Sequence, residues 1–240
     1  MEQTIHLLAI DLENAPSAAR DAFALSLEEL ATLSAKARLE RPDTEVVVLA
    51  EGDRFEIYTT EAARQTVYRT LLGTIVARVP TLDRATVRTT EHHGVAAAWH
   101  LMQLTAGAGG RSGVRMLGAL NDAVVRARRA GTLGSELAPL FECAADAGWR
   151  IQSETTLGDG QTSPAQRELD WFEAERIIDE ELVTWQASRA SQGSLQSIPA
   201  KSLDPSYYAA AEAGTGVRLK APRAAEFAPF AEATSRHRVA

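Results

Sequence analysis

Two strand-like runs lie back to back around residue 52, and they restrict the fold more than any other part of the chain. Val46-Val47-Val48-Leu49-Ala50 is short, continuous and β-branched, the composition of a central strand. The stretch Asp53–Thr59 alternates: Phe55 and Ile57 point one way, Arg54, Glu56 and Tyr58 the other. Residues 4–12 read as a further buried strand. Between these strands, Ser26 and Glu29 form a capping box, and the helix it opens places Leu30, Leu33 and Ala37 on one face. A helix from about Thr60 carries Val67, Leu71 and Ile75 at helical spacing and is stopped by Pro80; Arg84–Thr90 then alternates as a last strand. The order βαββαβ predicts an α+β protein with a ferredoxin-like antiparallel sheet backed by two helices.

From His92 the pattern turns helical. One helix runs to about Ala106, a Gly-rich loop spans residues 107–113, and two more helices fit Val114–Ala130 and Ser135–Gln152. Ser163, answered by Gln166 and followed by Pro164, starts a long helix to about Gln192. Its stripe of Trp171, Ala174, Ile178, Leu182 and Trp185 needs a packing partner, either the chain's own body or a second copy. Residues 193–240 are rich in Ala, Ser and Pro without a period and read as a mostly irregular tail.

Composition excludes some functions. The net charge of −7 argues against a general nucleic-acid binder, although from Gly193 onward six Lys/Arg face four Asp/Glu. One cysteine, Cys143, excludes an internal disulfide and a Cys-rich zinc site. No apolar run reaches the roughly 18–20 residues that span a bilayer. The start lacks the order of a secretory signal, so a cytoplasmic protein is expected.

Six segments, in order, resemble the glutamyl-tRNA reductase family. Residues 9–16 (AIDLENAP) sit where that family has G-I-N-H-K-T-A-P, and residues 47–58 on V-V-L-S-T-C-N-R-x-E-L-Y. His100-Leu101-Met102 matches H-L-(M/F), Met116-Leu117-Gly118 the I-L-G of G-E-P-Q-I-L-G-Q, and Ser153–Gly158 T-E-T-x-I-G. Residues 174–181 resemble the start of the family's C-terminal helix, whose onset is the dimerisation domain. The resemblance implies a first domain over 1–158, the helix over 163–192 and the tail over 193–240.

Departures from the pattern bear on the chemistry it implies. In the family a cysteine thiolate attacks the aminoacyl ester, and NADPH reduces the thioester to an aldehyde. Here Gly52 stands at the cysteine position, flanked by Glu51 and Asp53 in place of Thr and Asn, and glycine has no nucleophile. Leu12 and Glu13 replace the family's His-Lys pair. Only a few residues separate Gly158 from Ser163, where the family inserts its NADPH domain, and no G-x-G-x-x-G follows a strand. Arg54, which in the family grips the substrate's glutamate side chain, persists with Glu56, Tyr58 and the family's active-site histidine, His100.

Each candidate carries two readings. Arg54, Glu56 and Tyr58 form either a substrate-binding floor for a carboxylate or an ion pair along a strand. His100 is either a general base or haem ligand, or a core histidine held by a hydrogen bond. Glu51 and Asp53 are either an acid/base pair or a solvated strand end. His92-His93, if helical, diverge too much to share a ligand. Cys143 is a substitute nucleophile or a small buried group. The Gly-rich loop lacks the Lys-Ser/Thr ending of a P-loop, and the basic Arg218–Arg223 stretch touches RNA or is solvated.

The expected protein does not reduce glutamyl-tRNA. It binds or regulates, keeping part of the glutamyl/tRNA pocket, with glutamyl-tRNA, a partner protein or a second copy paired through the long helix as partners. An aminoacyl-tRNA-dependent transferase using Glu51, Asp53 or His100 as base is the alternative. A haem or tetrapyrrole binder using His100 or His92 is another. No metal and, haem aside, no cofactor is expected.

Overall fold

The computed structural model describes residues 4–78, 87–107, 112–157 and 164–191. Its elements are β1 (Ile5–Asp11), α1 (Ser17–Phe23), α2 (Leu27–Glu40), β2 (Val46–Glu51), β3 (Arg54–Thr60), α3 (Arg64–Arg78), β4 (Arg88–His93), α4 (Val95–Thr105), α5 (Gly113–Ala130), α6 (Leu137–Glu154) and α7 (Pro164–Ser191). The four strands form one sheet in the order β2-β3-β1-β4, antiparallel at every pairing. β2 and β3 make a hairpin in which Glu51 faces Arg54 across Gly52 and Asp53. Gly52 has φ +58°, a left-handed conformation that glycine adopts without steric cost.

The period of two along each strand splits the apolar residues between two cores. Leu8, Ile10, Val46, Val48, Phe55 and Ile57 pack with Leu30, Leu33, Val67, Leu71 and Ile75 of α2 and α3. Leu7, Val47, Leu49 and Tyr58 pack on the other face, against Leu101, Met102, Leu120, Phe141 and Trp185 of α4–α7. The sheet is thus a middle layer with helices on both faces. Arg54, Glu56 and Tyr58 face α4–α7, because they alternate with Phe55 and Ile57.

Caps join these layers. Ser26 and Glu29 form the reciprocal capping box, with Glu29 N donating to Ser26 Oγ at 3.2 Å and Ser26 N to Glu29 Oε2 at 2.8 Å. Glu45, just before β2, accepts the backbone N–H of Glu136 at 3.2 Å and of Leu137 at 2.9 Å, so one carboxylate caps α6 from a different element. The outer edge of β2 is closed in part by Thr132, whose carbonyl accepts from Val46 N and whose hydroxyl donates to Val46 O.

Several expectations shift. Among the described residues the last strand covers Arg88–His93 and so runs past the expected end at Thr90, since pairing with β1 from Asp11↔Arg88 to His6↔His93 sets its span; residues 84–86 of the expected strand lie outside the described residues. His92 and His93 are therefore strand residues, and α4 begins only after Gly94 turns the chain at φ +55°. A short α1, absent from the sequence reading, precedes α2. The apolar stripe of α7 packs on the chain's own body: Ala174, Ile178, Leu182 and Trp185 are buried in the core with α4 and α6, and Trp171 is partly buried against it. No helix among the described residues is long and apolar enough to cross a membrane. Pro80, Ser163, Gly158, residues 108–111 of the Gly-rich loop and residues 192–240 lie outside the described residues.

Candidate functional site

Glu56 is the centre of the site. It sits mid-strand in β3 beneath α4 and is fully buried, so its charge must be matched within the protein. Three side chains supply the match. Tyr58 Oη donates to Oε2 at 2.7 Å, His100 Nε2 lies 2.9 Å from Oε1, and Arg54 Nη1 lies 3.3 Å from the same oxygen. Burial pushes the Glu56 carboxyl up, but His100, then Arg54 and Tyr58, outweigh it and hold it below the usual carboxylate range. Tyr58 is driven well above the usual phenol range, first by burial and then by the Glu56 charge. It also meets Phe141 edge-on, with ring centroids 5.2 Å apart.

Two elements bring histidines to this carboxylate. His100 reaches down from α4, its side chain 13% exposed. His92 comes from β4, and because it pairs with Leu7 in register, it lies on the same sheet face as Glu56. The two imidazoles stack with centroids 5.0 Å apart and planes 28° apart. Burial, and then the nearby His100, push His92 down to about 4. The sequence reading makes His92 and His93 helical neighbours too divergent to share a ligand, while keeping His92 as a candidate haem ligand. The strand assignment corrects the helical part of that reading, and the two residues still diverge: His92 joins His100, and His93 turns to the opposite face, its Nδ1 2.6 Å from that of His6. His6 in turn pairs with Glu61.

Glu51 and Asp53 flank Gly52 in the β2–β3 hairpin. Glu51 forms an ion pair with Arg115 of α5, while Asp53 occupies the hairpin turn, where its carbonyl accepts Leu12 N at 2.7 Å. Beside Glu51, a cleft of about 320 Å³ opens between β2 and α5, lined by Ala50, Glu51, Arg115, Gly118, Ala119, Asp122 and Arg126. Arg115, Asp122 and Arg126 escaped the sequence reading, since a helix periodicity says nothing about which strand edge it will face. Cys143 is buried in α6, and burial followed by the charge of Glu181 pushes its thiol up to about 12. It is therefore protonated at neutral pH and serves as a small apolar core group. Among the described residues, no group of three His, Cys, Asp or Glu is placed to hold a metal ion.

The match to known proteins falls on this sheet and its helical cover. The family model for the glutamyl-tRNAGlu reductase N-terminal domain covers residues 8–155. The chain belongs to that family. Glutamyl-tRNA reductases from two strains of Coxiella burnetii, Dugway 5J108-111 and RSA 331 / Henzerling II, are each 30% identical to it over 162 residues. That match takes in 65% of this chain but 38% of each relative, so the chain spans well under half the length of these members of the family. A solved glutamyl-tRNA reductase from Methanopyrus kandleri superposes with a TM-score of 0.49 at 21% identity, covering 77% of this chain and 47% of that one.

Proposed function

We propose that this family member binds the aminoacyl end of a charged tRNA at Arg54, Glu56, Tyr58 and His100 without reducing it. One observation carries the reading: the hairpin turn that presents the site has Gly52 at φ +58°, with no side chain at the position that matches the family's cysteine. Two further points support it. Cys143 is protonated and buried away in α6. The residues present also do not fit NADPH: residues 155–163 alone separate α6 from α7, whereas one βαβ nucleotide-binding unit takes about 30 residues.

A second reading, aminoacyl transfer, is favoured by the Glu56–His100 contact. With Glu56 ionised, His100 Nε2–H donates to it and Nδ1 keeps the lone pair, the tautomer a general base needs. An amine acceptor would attack the ester carbonyl, its N–C bond forming as the C–O bond to the tRNA ribose breaks. The amine proton passes to His100, which hands it on to the departing ribose oxygen, so the ribose leaves with a free hydroxyl and His100 returns to its neutral form. A haem-binding reading rests on the paired His92 and His100.

We read the sheet as ferredoxin-like on the support of its strand order and antiparallel pairing. For a homodimer through α7, the buried stripe is already used, so the proposed contact is the opposite face, with exposed Leu169, Phe172 and Val183.

The deciding experiment is filter binding of charged and uncharged glutamate tRNA at two salt concentrations, with the ester followed over time. Preference for the charged form, lost in Arg54→Ala, supports the binding reading. Ester loss only when an amine is added, and abolished in His100→Ala, establishes transfer. Equal or absent binding of both tRNAs overturns both, and a Soret band that disappears in His100→Ala would replace them with the haem reading.

A further inference from the structure

The cleft beside Glu51 carries chemistry that the Glu56 centre does not use. It is lined by two cations, Arg115 and Arg126, and two anions, Glu51 and Asp122, so its formal charge sums to zero. Arg115 and Glu51 already neutralise one another in an ion pair. Asp122 and Arg126 attract each other only through space, Asp122 opposing the burial that pushes the Arg126 guanidinium down. They stand one helical turn apart on α5, at a spacing where an Asp and an Arg readily pair, yet no ion pair or hydrogen bond joins them. Arg126 instead spends one nitrogen on Val48 O, at 3.1 Å, which leaves most of its five N–H donors for another acceptor.

The wall between them is a strand edge. β2 ends the sheet, and three of its outward-facing main-chain groups are taken: Val46 N and O by Thr132, and Val48 O by Arg126. Two residues further on, Ala50 turns the same way by the period of the strand, and Ala50 lines the cleft. An N–H and a C=O thus face the cleft between an acid and a guanidinium. The floor is small: Gly118 and Ala119 leave room, and a Cβ added at Gly118 would meet no atom within 4 Å.

We propose that this cleft binds the ammonium–carboxylate head of a free α-amino acid. The carboxylate pairs with Arg126 and the Ala50 N–H, and the ammonium with Asp122 and the Ala50 carbonyl. A purely anionic ligand would be repelled by Asp122 and a purely cationic one by Arg126, so only a group carrying both charges uses the whole set. At about 320 Å³ the cleft is at the small end of ligand sites, suited to an amino acid and too small for a nucleotide together with its sugar and phosphates.

The test is titration of the full chain, uniformly labelled with nitrogen-15, with each of the twenty free L-amino acids, following the amides of Ala50, Gly118 and Ala119. The expected result is saturable shifts with at least one amino acid, lost when that amino acid is N-acetylated or converted to its amide. Asp122→Asn, at an exposed helix position, should weaken binding about tenfold. Gly118→Leu fills open space and should abolish binding while leaving the thermal midpoint unchanged or raised. No shift with any amino acid overturns the proposal, and so does an equal response to inorganic phosphate, which would make the cleft an anion site. Because the readout needs neither tRNA nor turnover, its failure is separate from failure of the aminoacyl-transfer reading.

Discussion

Glu56 carries the highest electrostatic stakes of any residue described. Removing a buried charge leaves its partners, Arg54 and His100, facing a gap, and breaking such a pair costs about 3–5 kcal/mol. Glu56→Ala should therefore lower the urea midpoint strongly, whereas Arg54→Ala, at a partly exposed position, should cost less. Equal losses would show that the cluster is worth little beyond its packing. The Glu56 carboxyl titrates below its ordinary value in the fold, so its stabilisation is present above the unfolded value and is lost as pH falls through the depressed one. His92 acts earlier. With its folded value at about 4 against 6.5 for a free imidazole, the unfolded chain takes up the proton first, and stability declines as pH drops across that window. His92→Phe should flatten the fall of the melting temperature between those two values and leave the profile above pH 7 unchanged. The identity of Arg54, Glu56, Tyr58 and His100 as candidates was legible in the sequence through the family pattern. That they converge on one carboxylate was not, since His100 lies 44 residues from Glu56 and only the packing of α4 on the sheet joins them.

At the scale of elements, the capping box at Ser26 and the hairpin around Gly52 were readable because both depend on residues a few positions apart. The position of β4 was not. Its sequence, Arg-Thr-Thr-Glu-His-His, has almost no apolar content and is largely exposed, so the register against β1 decides where the strand lies. The same holds for Glu45, a solvent-type residue that becomes the N-terminal cap of α6 only because the segment entering β2 meets the start of that helix. Glu45→Ala should cost about 1–2 kcal/mol, with the loss of amide protection concentrated in the first turn of α6. Uniform loss across the molecule would instead place Glu45 in a global role.

For the molecule as a whole, α7 completes a core rather than projecting from it. Trp185 is almost fully buried in the cluster that also holds Leu7, Leu101 and Phe141, so Trp185→Ala should cost about 3–5 kcal/mol and lower the midpoint of the whole domain in a single transition. A separate, earlier transition for α7 would mean that the helix docks only loosely. The periodicities of two and about 3.6 in the sequence determined which segments became strands and helices and which side of each would be apolar, because those patterns are set by local backbone geometry. The residue-by-residue resemblance to the family pattern, also read from the sequence, implied that glycine stands where that pattern has its cysteine. Only the tertiary structure decided that the stripe of α7 folds back on its own chain, that His92 stacks on His100, and that Arg126 of α5 closes on the edge of β2 beside an open cleft. Each of those contacts joins distant segments, and the choice among them is made by which apolar faces can be buried together, a property of the assembled layers and not of any one of them.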